Sequence, residues 1–182
     1  MEDEKDILRR MSSGDSDAFR LVFLKYAPRV EAFAMKMLKN IHEAQDVSQN
    51  IFTKLWMQRR ELAQVQSLNA YLFRMTRNAI FNAYKHRQVE SKYQAETGAA
   101  ESPAAPQADE SVSTDDLLEM IDLAVRNMPE QRRRVFCMSR YENMSYNDIA
   151  EALNISPKTV QYHISEALAE LRKLLSAMAF FI

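Results

Sequence analysis

Glycine is nearly missing from this chain, two residues in 182, while cysteine and tryptophan occur once each and histidine three times. So little glycine leaves few places where the backbone can turn left-handed without strain. With one thiol, Cys137, an internal disulfide is impossible, and its neighbours Phe136 and Met138 suggest a reduced, packed sulfur rather than a nucleophile. His42, His86 and His163 lie far apart without metal-ligand spacing, and there is no glycine-rich phosphate loop. No metal, no cofactor and no enzymatic centre are therefore expected. Long apolar runs are lacking too. The longest, Ala177-Met178-Ala179-Phe180-Phe181-Ile182, falls far short of the ~20 residues that span a bilayer. The acidic opening Met1-Glu2-Asp3-Glu4-Lys5-Asp6 leads into no apolar signal segment, so a cytoplasmic protein is expected.

Alanine, leucine, methionine, glutamate, glutamine, lysine and arginine are plentiful, and these lose least on entering a helix. The composition, 47% hydrophobic and 27% charged, is that of a folded protein, and an all-α fold is expected. The net charge of -1 conceals segregation: residues 1–53 carry -1, 54–87 carry +6, 88–122 carry -8 and 123–182 carry +2. The acidic stretch contains Glu96-Thr97-Gly98-Ala99-Ala100-Glu101-Ser102-Pro103-Ala104-Ala105-Pro106-Gln107. Having no aromatic residue and no apolar periodicity, it cannot bury enough surface to order itself. A flexible acidic linker at 91–112 is predicted, joining small helical domains at 1–90 and 113–182.

In the first domain, breaks at Ser13-Gly14-Asp15, Ala27-Pro28, Asn40-Ile41-His42 and residues 60–67 predict a short leading helix and then four main ones. In the second, breaks fall at Asn127-Met128-Pro129, Glu142-Asn143-Met144 and Asn154-Ile155-Ser156. Asn143 and Asn154 stand where a left-handed residue ends a helix, a conformation asparagine tolerates.

Ser145 and Asp148 form a capping-box pattern that opens a helix over 146–153, with Ile149, Ala150 and Leu153 on one face. Ser156 is a natural N-cap and Pro157 suits the first helical position; Val160, Ile164, Leu168, Leu171 and Leu175 trace a buried stripe. Two helices joined by a short turn result. In a helix-turn-helix the second helix enters the major groove, its first residues nearest the base edges. Here those are Lys158, Thr159, Gln161, Tyr162 and Ser165. Glutamine can pair bidentately with adenine, and lysine can meet guanine or phosphate. An ordinary helical hairpin with a polar outer face carries the same pattern. The preceding helix starts at Met128-Pro129-Glu130-Gln131-Arg132-Arg133-Arg134; Val135, Phe136 and Tyr141 are expected to pack inward. Arg132 and Arg134 suit either phosphate contact or solvent.

Residues 67–87 hold four cations and no acid. Arg74, Arg77 or Asn78, and Lys85 can share one side at helical spacing. Arginines interleaved with Tyr71, Phe73, Phe81 and Tyr84 suit single-stranded DNA, whose bases stack while its phosphates pair with cations; taken singly, each ring is more readily a core residue. The helix before it places Val47, Ile51 and Leu55 on one stripe and Asp46, Gln49, Asn50 and Thr53 elsewhere, with Trp56 near the end. Such a face suits the docking of another helix or simply water.

Three stretches, in this order, resemble the extracytoplasmic-function sigma factors of RNA polymerase. Asp46-Val47-Ser48-Gln49-Asn50-Ile51-Phe52-Thr53-Lys54-Leu55-Trp56 is similar to their polymerase-docking helix, and residues 71–87 to the helix beside the opened minus-ten DNA. Residues 128–175, with Pro129, Arg133, Val135-Phe136, Ser145-Tyr146-Asn147-Asp148-Ile149-Ala150 and Ser156-Pro157-Lys158-Thr159-Val160, resemble the minus-thirty-five reader. The resemblance implies a sigma region 2 domain of four helices and a region 4 helix-turn-helix domain. It implies a grip on core RNA polymerase through Asp46, Gln49, Asn50 and Trp56, and minus-ten DNA contacts from Arg59, Arg60, Arg74, Arg77, Asn78 and Lys85. A flipped base would lie in the loop at 58–67, which must recover the few kcal/mol that unstacking costs. Minus-thirty-five contacts would come from Arg133, Ser156, Lys158, Thr159, Gln161, Tyr162 and Ser165. Promoter DNA and an anti-sigma factor are the further partners the family implies. Where many relatives carry arginines in the reading helix, this chain has His163, Glu166 and Leu168; Glu166 suits a cytosine contact or solvent. A stand-alone operator-binding regulator and a helical interaction protein with no DNA role are the rival readings.

Overall fold

The computed structural model describes residues 4–93 and 112–181. Every regular element among them is helical: α1 (Glu4–Ser12), α2 (Ser16–Leu38), α3 (Ile41–Met57), a 3₁₀ turn (Arg59–Gln64), α4 (Leu68–Tyr93), α5 (Thr114–Arg126), α6 (Glu130–Arg140), α7 (Tyr146–Leu153) and α8 (Pro157–Met178). They form two compact units, Met1–Val112 with Ala177–Ile182, and Ser113–Ser176. Most of the expected linker, 94–111, lies outside the described residues; α4 continues through Tyr93, into the start of that stretch.

In the first unit the expected break at Pro28 does not occur, and α2 runs straight through it. Proline removes one amide and crowds the carbonyl four residues back. Both Pro28 and Leu24 are exposed, so water can satisfy the carbonyl left unbonded. Three long helices therefore follow α1, rather than four. α2 begins on Asp15, whose carboxylate accepts from the Asp17 and Ala18 amides at 2.8 and 3.1 Å and from Arg10 Nε at 2.8 Å. The Ala18 amide and then Arg10 hold that carboxyl below its usual range. The helix ends on Lys39 in the left-handed region (φ 55°), a conformation no glycine or asparagine announced. Asn40 then caps α3, its Oδ1 accepting from the His42 and Glu43 amides at 3.0 and 3.4 Å.

Tyr71, Phe73 and Tyr84 are buried as core residues and Phe81 is half-buried. Phe33 and Phe73 stack at 5.7 Å, and Phe181, one of the C-terminal residues belonging to this unit, sits 5.7 and 5.8 Å from them.

In the second unit the buried stripe of α8 is Val160, Ile164, Ala167, Leu171 and Leu174. Expected core residues Leu168 and Leu175 are instead half-buried and 43% exposed. Steps of four overshoot a helix of about 3.6 residues per turn, and a stripe stays on one face only by alternating fours with threes. Tyr141, expected inside, follows the last residue of α6 and is 63% exposed, meeting Phe136 only edge-on at 6.3 Å.

Candidate nucleic-acid interface

α7 and α8 are built from local signals. Ser145 Oγ accepts from the Asp148 amide at 3.2 Å and Asp148 Oδ2 from the Ser145 amide at 3.3 Å, closing a capping box. Asn154 ends α7 in the left-handed region (φ 50°), and the Ile155 amide returns to the Ala150 carbonyl at 2.9 Å. Ser156 Oγ then accepts the Thr159 amide at 3.1 Å, starting α8. The three-residue turn, with Ile149, Ala150, Val160 and Ile164 buried on either side of it, makes a helix-turn-helix.

On the first turns of α8, Lys158, Gln161, Tyr162 and Ser165 are all exposed, and their spacing puts them on one stripe. Ser156 is exposed beside them, whereas Thr159 is half-buried with its hydroxyl 2.8 Å from Ser156 Oγ. Both hydroxyls thus serve the cap. Arg133 Nη1 donates to the Arg126 carbonyl at 2.7 Å, closing the end of α5. Arg132 takes the structural role: Nη1 meets Glu170 at 3.0 Å and Nη2 lies 4.0 Å from Glu166. The Glu170 bond ties α6 to α8 and accounts for the arginine, whereas Glu166 and Arg134 are exposed.

In the first unit, Asp46, Gln49 and Asn50 are exposed on α3 with Thr53, Lys54 and the 73%-exposed Met57. Trp56 is half-buried at the edge of that face, its ring 5.0 Å from Phe19 and covered by the Arg59 guanidinium at 4.8 Å. Arg59 Nη1 also donates to the Trp56 carbonyl at 3.0 Å. The arginine therefore holds the loop at 58–67 to the end of α3. Arg60 is exposed.

Along α4 the expected cationic side is broken. Arg74 is buried at 8% exposure because residues 70–76 are covered on every side of the helix, so it offers no charge to DNA in this conformation. Arg77 and Asn78 are half-buried and lie together, at 3.4 Å, while Lys85 is exposed. Arg87, absent from the expected set, donates to the Leu38 carbonyl at 2.9 Å and pairs with Glu43, tying α4 to the α2–α3 turn. Burial, and then the Glu61 charge, push the Tyr71 phenol up from its ordinary value.

An exposed apolar groove on α2 and the first residue of α3, lined by Phe23, Leu24, Pro28, Met35 and Ile41, went unseen in the sequence. The signal was the apolar spacing of Leu24, Pro28 and Met35, obscured by the break expected at proline. Among the described residues no helix is long and apolar enough to cross a membrane, and no cluster of three or more histidine, cysteine or acidic side chains is suited to a metal ion.

Two family models match the chain, sigma-70 region 2 over residues 22–89 and sigma-70 region 4 over 118–171. Curated relatives include the RNA polymerase sigma factor CarQ of Myxococcus xanthus, 26% identical and aligned over 94% of this chain and 97% of its own. The ECF RNA polymerase sigma factor SigW of Bacillus subtilis is 23% identical over 94% of this chain and 96% of its own. Among solved structures, CnrH in complex with the cytosolic domain of CnrY aligns over 96% of this chain and 97% of that one, at 20% identity and a TM-score of 0.40.

Proposed function

From membership in the extracytoplasmic-function sigma factors, the family to which this chain belongs, we propose how its residues share the work of recognising a promoter. As a sigma factor the chain binds RNA polymerase and recognises promoters. Asp46, Gln49 and Asn50, with Trp56 at the edge, form the face that meets core polymerase. Lys158, Gln161, Tyr162 and Ser165 enter the major groove of the minus-thirty-five element, with Ser156 and Thr159 shaping the helix start and Arg133 touching phosphate. Lys85, Arg77, Asn78 and Arg60 line the path of the opened minus-ten strand, and the loop at 58–67 receives a flipped base. Arg59 acts there by holding the loop to Trp56. Arg74 is left out of this assignment. An anti-sigma partner, a cytoplasmic place and a role without catalysis belong to the same reading.

The observation that carries the proposal is that the α8 stripe Lys158, Gln161, Tyr162 and Ser165 is wholly exposed and opens at a capped helix N-terminus. The positive end of the helix dipole favours phosphate there, while the side chains face outward to bases. One reading helix supplies few contacts, so free-standing affinity should be weak and promoter binding should need polymerase. In mobility-shift titrations on a promoter fragment, a specific complex is expected only when core polymerase is present. A tight duplex complex formed by the chain alone would instead support the stand-alone regulator.

A further inference from the structure

Glu4, at the start of α1, bonds to two helices far from it in sequence. Its Oε1 accepts the backbone amide of Leu68, the first residue of α4, at 3.0 Å, and its Oε2 accepts the Tyr26 hydroxyl of α2 at 3.4 Å. α1 itself packs against the loop at 58–67, with Leu8, Met11, Leu62 and Val65 all buried. The local cap of α4 does not reach the Leu68 amide: Ser67 Oγ takes the Ala70 amide at 3.2 Å. Nor does α4 carry an acid in its own first turn. Glu4 therefore supplies, from 64 residues away, the negative charge that a helix N-terminus favours.

The loop is consequently fixed at both ends. Arg59 holds the near end to Trp56, and Glu4 holds the far end where the chain enters α4. α1 lies outside the sigma-70 region 2 match, which begins at residue 22. We propose that Glu4 is a positioning residue for promoter opening, clamping the far end of the loop so that its pocket is formed before the base arrives. The proposal rests on the reading of 58–67 as the base-receiving loop. A pocket already in place spends none of its stacking and hydrogen bonding on ordering itself, and loosening one end returns that cost to every capture event.

The test uses holoenzyme assembled from core polymerase and the full chain. Its affinity is measured for minus-ten single strands in which each position in turn is abasic. With the wild-type chain, one position should show a marked preference for base over abasic. Glu4→Ala should lower that preference about tenfold, the loss expected when one charge-assisted bond no longer fixes the loop. Glu4→Gln, whose amide oxygen can still accept from Leu68, should keep it within about threefold of wild type. Core-polymerase affinity should be unaltered in both, which a general weakening of the fold would not leave so. If Glu4→Ala keeps the full preference while the wild type shows one, the positioning role is wrong and the loop reading stands. If the wild type shows no base preference at any position, the loop reading fails and the positioning role with it.

Discussion

Replacing Asp46 and Gln49 together by alanine is expected to weaken the affinity of the chain for core RNA polymerase about a hundredfold or more. Both side chains are exposed on α3, one turn apart, while Ala44, Val47, Ile51 and Leu55 anchor the opposite side of the helix in the core. Truncating them removes contacts a partner would make and none that the fold needs, so the unfolding temperature should move by no more than about 2 °C. Trp56 is a poorer probe. Its ring packs on Phe19 and under Arg59, and its removal would disturb the loop as well as any partner. Titration of labelled chain with core polymerase, alongside a thermal melt, separates the two effects; an affinity within threefold of wild type would remove the docking assignment.

The second large effect is expected at Gln161. It stands in the middle of the exposed α8 stripe, where a glutamine can bond two groups on the edge of an adenine. Gln161→Ala should cost about 1–3 kcal/mol of discrimination, roughly 5- to 150-fold, at one base pair of the minus-thirty-five element and little elsewhere. Lys158→Ala provides the contrast. If Lys158 meets phosphate, its loss weakens all sequences alike and makes the dependence of log affinity on log salt shallower by about one. Holoenzyme binding to single-base-pair variants of the element, at several salt concentrations, reads both. A Gln161→Ala profile parallel to wild type at every position would show that this residue does not read bases.

What could be read in the sequence follows the distance over which each feature is determined. The caps at Ser145 and Ser156 and the left-handed Asn154 depend on residues within four positions of one another, and all of them were legible. So was the exposed polar face of α3, since its complement of apolar residues fixes which side is buried. Features set by distant partners were not. Arg132 is a plausible phosphate ligand until Glu170, 38 residues on, is seen to hold it. Arg74 lies at helical spacing from Arg77 and Asn78, yet α4 is covered on every side at that point, and one-sided periodicity assumes a surface helix. Pro28 was misread because a missing amide costs little where its would-be acceptor meets water. The Glu4 bond to Leu68 joins two helix beginnings that nothing in either segment connects.

All of these assignments require that polymerase and this chain together start transcripts where neither does alone. Run-off transcription with purified core polymerase on genomic promoter fragments measures that directly. Discrete transcripts are expected only when the chain is added, and they should vanish with the Asp46→Ala, Gln49→Ala double variant. An unchanged pattern of starts with and without the chain would contradict its reading as a promoter-specificity factor.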